Sequence, residues 1–446
     1  MIKNMTEGAP SRILWAFSMP MLLSVIFQQL YNIVDSVVAG KFVGAAALAA
    51  VGASFPITMI FMAIATGANI GASVVISQLF GARKLVKLKT SISTSILAVL
   101  VLAVVLTLAG WIFCRPLLGL LNTPEQIFSD SALYLNIYVG GLVFLFLYNI
   151  CTGVFTALGD SKTPLYFLIA SSLGNILLDL VFVICFHMGV GGVAWATFIA
   201  QGVSSVFAFT VLMYRLKGLH PEVRYPRFSA SMLAKISRIA VPSILQQSFV
   251  SVGNLFIQGR VNSFGADVIA GYAAAVKLNT FAITSFTTLG NAISSFTAQN
   301  IGAAKYQRIK AGFKVGCIMM LVVALPFVLA FGVFGKQMMS IFVSPADVAI
   351  IQEGKLFLQV LSPFYIIIGV KLIADGVLRG TGRMVQFMVS TFSDLVLRVA
   401  LAYILSYAMA SSLGIWLSWP VGWSIAAVLS CCFYAVQSRK LPAKEN

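Results

Sequence analysis

The stretch SQLFGARK (77–84) returns in altered form as AQNIGAAK (298–305). Gln78 pairs with Gln299, Gly81 with Gly302 and Ala82 with Ala303, each pair 221 positions apart. The same offset carries Gly44 onto Gly265, Ala49 onto Ala270, Gly159 onto Gly380 and Lys162 onto Arg383. Pro20 and Pro242 lie one position off that register. A chain that repeats itself once over most of its length holds two copies of one architectural unit.

The solvent of those units follows from composition. Of 446 residues, 59% are hydrophobic and 10% charged, and mean hydropathy is +0.96. A soluble domain carries about 25% charged residues, so this chain belongs in lipid. Its net charge of +17 does not indicate nucleic acid, because the charges sit in short loops between apolar runs. Six scattered cysteines read as free thiols packed in membrane helices. With two histidines and no CxxC, a His-based metal site is not expected. The first apolar run continues through Pro20, Gln28, Gln29 and Asp35, so it reads as a membrane helix, not a cleaved signal.

A span needs about 20 apolar residues. Twelve runs qualify, near 13–38, 46–78, 90–113, 130–156, 164–187, 190–214, 236–258, 267–299, 312–335, 350–377, 384–409 and 412–436. One set of loops and ends holds 22 Lys and Arg, and the opposite set holds five. That asymmetry places both termini in the cytoplasm, and the expected location is as a multi-pass protein of a prokaryotic plasma membrane. The expected fold is all-α, with twelve transmembrane helices in two six-helix lobes related by a pseudo-two-fold axis along the membrane normal. The lobes are 1–216 and 235–446, and the polar, Pro-containing segment 217–234 links them. Duplicated bundles can rock against each other around a central site, which points to transport.

Ionisable residues inside spans are functional candidates, since a charge at the bilayer centre costs about 2.5–3.5 kcal/mol on insertion scales. Asp35 heads a polar stripe with Asn32, Tyr31, Gln28 and Ser24 on one helix face. Asn175 and Asp179 share a face of the fifth span, extended by Ser171 and Ser172, and Thr197 and Gln201 share a face of the sixth. Two carboxylates with amide and hydroxyl oxygens suit a hard cation such as Na⁺. They equally suit a shared proton, or a buried network that only joins helices. Asp394 and Arg398, four apart, favour an ion pair. Lys277 pairs with an acid, lines the cavity or snorkels to an interface. The seventh span carries Gln246, Gln247, Asn254 and Gln258 and no acid, so ion chemistry is expected in the first lobe. GANIG (67–71) indicates close helix packing. Neither Gly40-Lys41 nor Gly335-Lys336 continues as a phosphate loop, so ATP is not expected as the energy source.

Taken in order and in duplicate, Pro20 with Asp35, GKFVGAAALAAVG (40–52), SQLFGARK and ALGDSKTP (157–164) resemble the MATE (multidrug and toxic compound extrusion) transporters. The chain is most similar to the DinF-type branch, with its first-helix aspartate and fifth-helix Asn-xxx-Asp. The resemblance implies that Asp35, Asn175, Asp179 and Thr197 bind the coupling H⁺ or Na⁺. Asn32 supports them, and Tyr134 and Tyr138 fall near a tyrosine of the same network. Gln28, Tyr31, Gln201, Gln246, Asn254 and Lys277 are candidates for the substrate cavity. The implied function is an ion-coupled efflux antiporter for small amphipathic, often cationic, organic compounds. It would be a monomer in the lipid bilayer, with no cofactor, no ATP, no nucleic acid and no catalytic residue. The alternatives are a flippase for lipid-linked precursors, which calls for a basic cavity, and an intramembrane enzyme, which calls for a nucleophile or metal cluster.

Overall fold

The computed structural model describes residues 3–38, 42–218, 224–440 and 442, without the side chains of 35–38 and 45–48. Among the described residues there are no strands. A helix satisfies its own backbone in hydrocarbon, and long apolar runs therefore become helices. The first half contains α1 (Pro10–Val38), α2 (Ala45–Gly81), α3 (Leu85–Leu120), α4 (Glu125–Gly140), α5 (Leu142–Ala157), α6 (Lys162–Leu180) and α7 (Gly189–Gly218). The second contains α8 (Ala230–Asn262), α9 (Ala266–Gly302), α10 (Tyr306–Val333), the short α11 (Gly335–Met339), α12 (Val348–Leu361), α13 (Tyr365–Gly380), α14 (Met384–Ala408) and α15 (Leu413–Lys440). Among the described residues, eleven segments are long and apolar enough to cross a membrane, with α12 and α13 forming one. The fourth expected span is the pair α4–α5, bent by 48°, and counting it as one crossing gives twelve. The bend falls at Gly140–Gly141, where no side chain stiffens the helix.

The repeat is visible in backbone geometry. Helices α2 and α9 each have 37 residues, and both start after a glycine of positive φ, Gly44 at 111° and Gly265 at 97°. Their ends form the same Schellman turn. Arg83 N–H donates to Phe80 O and Lys84 N–H to Leu79 O, matching Ala304 N–H to Ile301 O and Lys305 N–H to Asn300 O. Arg83 (φ 54°) and Ala304 (φ 57°) take the left-handed position usually given to glycine. The SQLFGARK and AQNIGAAK motifs are therefore one helix stop written twice. The ALGDSKTP turn corrects the sequence register. Its left-handed Gly159 (φ 79°) has its structural counterpart in Gly382 (φ 78°), not in Gly380, which lies inside α13.

Two compact units are present. The first joins residues 3 and 4 to Leu23–Ile244, and the second joins Met5–Leu22 to the chain from Leu245. Helices α1 and α8 thus each change unit, after Leu22 and after Ile244, just past Pro20 and Pro242. In the first unit, α2 packs on α3, α4 and α5, and α7 packs on α4, α5 and α6. The GANIG glycines meet the first part of α8. A Cβ at Gly67 would lie 2.5 Å from Ile244 N, and one at Gly71 would lie 2.4 Å from Ala240 Cβ. In the second unit, α9 packs on α10, α12 and α13, and α15 on α13 and α14. Its core stacks Tyr272 on Trp416 at 5.3 Å, with Phe357 edge-on to both Trp416 and Trp419, and Trp419 edge-on to Trp423.

Asp160 locks the α5–α6 turn. It is buried and accepts from the Thr163 hydroxyl (2.8 Å) and Thr163 N–H (3.2 Å), and it pairs with Arg215 of α7. Burial alone would raise its carboxyl, but the hydrogen bonds from Thr163 help to hold it below the ordinary carboxylate range.

Two outcomes follow from this packing. Gly71→Leu should destabilise by about 3 kcal/mol, the top of the usual overpacking range, and Gly52→Leu, where a Cβ meets nothing within 4 Å, should not. Thermal unfolding in detergent compares the two, and equal midpoints would refute the close α2–α8 approach. Asp160→Asn should cost about 2 kcal/mol at neutral pH, because it leaves Arg215 without its charge partner. A lowered carboxyl stabilises fully above the unfolded pKa of about 3.9 and loses that contribution as pH falls through the lower folded value. The gap between wild type and Asp160→Asn should therefore close only below about pH 4, and a gap unchanged down to pH 3 would contradict the assignment.

Candidate functional site

The first unit contains a polar cavity of ≈ 110 Å³. Its lining comes from four helices: Gln28 and Tyr31 of α1, Tyr148 of α5, Leu168, Ser171, Ser172 and Asn175 of α6, and Thr197, Ala200 and Gln201 of α7. Each helix contributes through its own period. Residues 168, 171, 172, 175 and 179 recur every three or four positions, so α6 turns one face toward the cavity and carries Asp179 one turn further on. Thr197 and Gln201 are likewise one turn apart.

Burial grades along α6. Ser172 is 9% exposed, Asn175 3% and Asp179 0%. Asp179 is fully buried one helical turn beyond Asn175 and is not itself part of the cavity lining. Among the described residues, neither Oδ1 nor Nδ2 of Asn175 has a hydrogen-bond partner. A buried amide left open in this way is a binding group for water, an ion or a ligand. Just beyond Asp179, α6 widens into a π-helical turn, Val181–Cys185, a distortion frequent at functional sites.

Thr197 and Gln201 also line a second, adjoining chamber of ≈ 10 Å³, with Tyr134, Tyr138 and Phe198. That volume holds about one water. The Tyr134 and Tyr138 rings stack at 6.4 Å and 19°.

Of the residues singled out in sequence, Gln28, Tyr31, Asn175, Thr197 and Gln201 meet at one cavity, and Tyr134 and Tyr138 at its neighbour. Asp35 lies on α1, but its side chain is outside the described residues. Asn32 is exposed and lines neither cavity. Gln246, Asn254 and Lys277 belong to the second unit and line neither. The Lys277 ammonium lies 6.0 Å from the centre of the Phe342 ring. Tyr148 was missed. It stands in the apolar run LVFLFLYNICTG, and the run gives no polar periodicity to mark it.

The oxygen set of Asn175, Asp179 and Thr197 has the hard-donor chemistry that Na⁺ prefers. Among the described residues, no group of three or more His, Cys, Asp or Glu could hold a metal ion.

The second unit holds a buried ion pair. Lys371 Nζ and Asp375 Oδ2 of α13 are 2.8 Å apart, with both residues buried. Ser430 of α15 donates to Asp375 Oδ1 at 2.6 Å, and Ser430 and Ser390 of α14 share a hydrogen bond at 2.5 Å. Asp375 is thus neutralised inside the unit. The expected Asp394–Arg398 pair is not formed, because no ion pair within 4.0 Å joins them among the described residues. The Arg398 guanidinium instead lies over the Trp419 ring at 4.4 Å, since a planar cation gains from an aromatic face where water is absent.

Comparison with known proteins places this geometry. The MatE family model matches residues 20–181 and 242–404, once in each half. Two proteins of Bacillus subtilis (strain 168), the probable multidrug resistance proteins YoeA and YpnP, are each 30% identical to the chain. The matches cover 94% and 93% of this chain and 92% and 91% of theirs. A solved MOP superfamily transporter from Pyrococcus furiosus has the same fold, with a TM-score of 0.90 at 22% identity over 98% of both chains. With the family model on both halves and these relatives along nearly the whole length, the chain belongs to the MatE family, the MATE transporters.

Proposed function

We propose that the protein is a secondary active efflux antiporter. It exports amphipathic, often cationic, organic compounds in exchange for H⁺ or Na⁺ by alternating access between lobes at 1–216 and 235–446. The observation that carries this reading is the cavity in which the open amide of Asn175 stands one turn from the fully buried Asp179. The cavity lining carries no charge, so it holds a ligand by hydrogen bonds and ring contacts from Gln28, Tyr31, Tyr148 and Gln201. An ionised Asp179, one turn beyond Asn175, favours an organic cation, because charges attract strongly where water is scarce. Taking up H⁺ or Na⁺ with Asp35, Asn175, Asp179 and Thr197 cancels that attraction and releases the compound. Tyr134, Tyr138 and Asn32 support the ion site. Gln246, Asn254 and Lys277 set which compounds pass without taking up the ion. Two relatives named as multidrug resistance proteins support the substrate class. The 22-to-5 loop asymmetry of Lys and Arg supports a plasma-membrane protein with cytoplasmic termini, and we read it as a monomer.

The decisive experiment reconstitutes the protein in vesicles and imposes pH and Na⁺ gradients separately. Efflux of a lipophilic cation should follow at least one of them, and efflux unchanged with both collapsed would remove the coupling. Asp179→Asn keeps the shape and removes the charge. It should lower gradient-driven efflux at least about tenfold, or 1.4 kcal/mol, while leaving the protein folded and inserted. Undiminished efflux would contradict the assignment, and loss of the folded protein would favour a purely structural network. Gln201→Ala and Tyr148→Phe should instead change relative affinities among substrates by about tenfold, the scale of one or two hydrogen bonds. Their response to the two gradients should stay as in wild type, and a changed response would place both residues in the ion path.

A further inference from the structure

The AQNIGAAK motif does more than end α9. Its polar side chains, together with Arg308 of α10, grip the main chain that leads into α1. Met5 N–H donates to Gln299 Oε1 at 2.9 Å. Met5 O accepts from Asn300 Nδ2 at 3.4 Å and from Arg308 Nη2 at 3.2 Å. Thr6 O accepts from Lys305 Nζ at 2.9 Å, and Gly8 O from Arg308 Nη1 at 2.7 Å. All five bonds meet backbone atoms, so the groove reads a chain path and not a side-chain sequence. Three of the four carbonyl contacts come from cations, the stronger class of hydrogen bond. Met5 and Thr6 are buried by the contact, and Met5 joins the apolar cluster of Leu14, Phe17 and Ile293.

The groove residues also bond one another. Asn300 has partners of its own, donating to Phe296 O at 2.8 Å and accepting from Arg308 Nε at 2.9 Å. Lys305 and Arg308 are half-buried and can take water when the segment leaves. Gln299, fully buried, loses its contact with Met5. The segment is also connected to the cavity. It runs directly into α1, and α1 is a helix of 29 residues that carries Gln28 and Tyr31 to the cavity wall.

We propose that residues 5–8 are a releasable clasp. Seated between Gln299, Asn300, Lys305 and Arg308, they fix the start of α1, and they leave the groove in each transport cycle. The proposal rests on the transport reading above. Its partner is a segment of the same chain, and its role is to couple the start of α1 to the state of the helix that lines the cavity.

The test replaces the six native cysteines by alanine and introduces Glu7→Cys with Lys305→Cys. A short bis-methanethiosulfonate reagent then joins the segment to the groove, and reductant cleaves the link. Ethidium efflux from vesicles is the readout. Crosslinked protein should transport at less than a tenth of the uncrosslinked rate, reductant should restore it, and the two single-cysteine variants should be unaffected by the reagent. Crosslinked protein that transports at the full rate would overturn the clasp. A wild type that moves no ethidium or other lipophilic cation would overturn the transport reading instead. If the cysteine-free protein does not fold, hydrogen exchange on wild type and Arg308→Ala decides. Amides of residues 5–12 should exchange at least tenfold faster in wild type during turnover than at rest, approaching the resting rate of Arg308→Ala. No acceleration during turnover would refute release.

Discussion

In a bilayer, apolar side chains gain nothing by turning away from solvent, because the solvent is itself apolar. What holds helices together there is close backbone approach and the few polar groups that must be answered inside. Both devices recur through this protein. Gly67 and Gly71 bring α2 onto the first part of α8, and Gly290, Gly376 and Gly380 bring α13 onto α9. A Cβ at Gly376 would stand 2.4 Å from Gly290 O, so this second seam also has no room for a side chain. The GxxxG stripe of α2 is used inside the chain, against Ile244 and Ala240.

Polar groups are distributed in two contrasting ways. In the second unit, Lys371, Asp375, Ser430 and Ser390 form a connected set that ties α13, α14 and α15. Its charges answer each other within the set. In the first unit, Asn175 is left open beside a cavity, with a buried carboxylate one turn away. Partner-filled charge stiffens a bundle, whereas an open polar group beside a cavity is available to bind. On this argument the two halves kept one architecture and diverged in what their interiors do.

How much of this was legible in the sequence depended on whether the signal was local. The helix stop at 77–84 and its copy at 298–305 are written in adjacent residues, and the structure repeats them turn for turn. The polar face of α6 was legible because a period of three or four is enough to align Ser171, Ser172, Asn175 and Asp179. The bend in the fourth span was not, since Gly140–Gly141 breaks a helix without interrupting hydropathy. Tyr148 was hidden for the same reason, as one polar ring in an apolar run. Asp394 and Arg398 had the spacing of a pair, but Trp419 comes from another helix, and spacing along one helix carries no information about its neighbours. Spacing along α13 likewise says nothing of the serines from α14 and α15 that complete the Lys371–Asp375 set. The clasp joins residues about 300 positions apart, and only the fold brings them together.

The central claim is that ligand and ion compete for one negative site in the first unit. Calorimetry of a lipophilic cation binding to the purified protein, run in buffers of different ionisation enthalpy and with and without Na⁺, measures that competition directly. The account predicts that binding displaces about one proton, or that affinity falls in proportion to Na⁺, as linkage requires. Binding that displaces no proton and is indifferent to Na⁺ would contradict it.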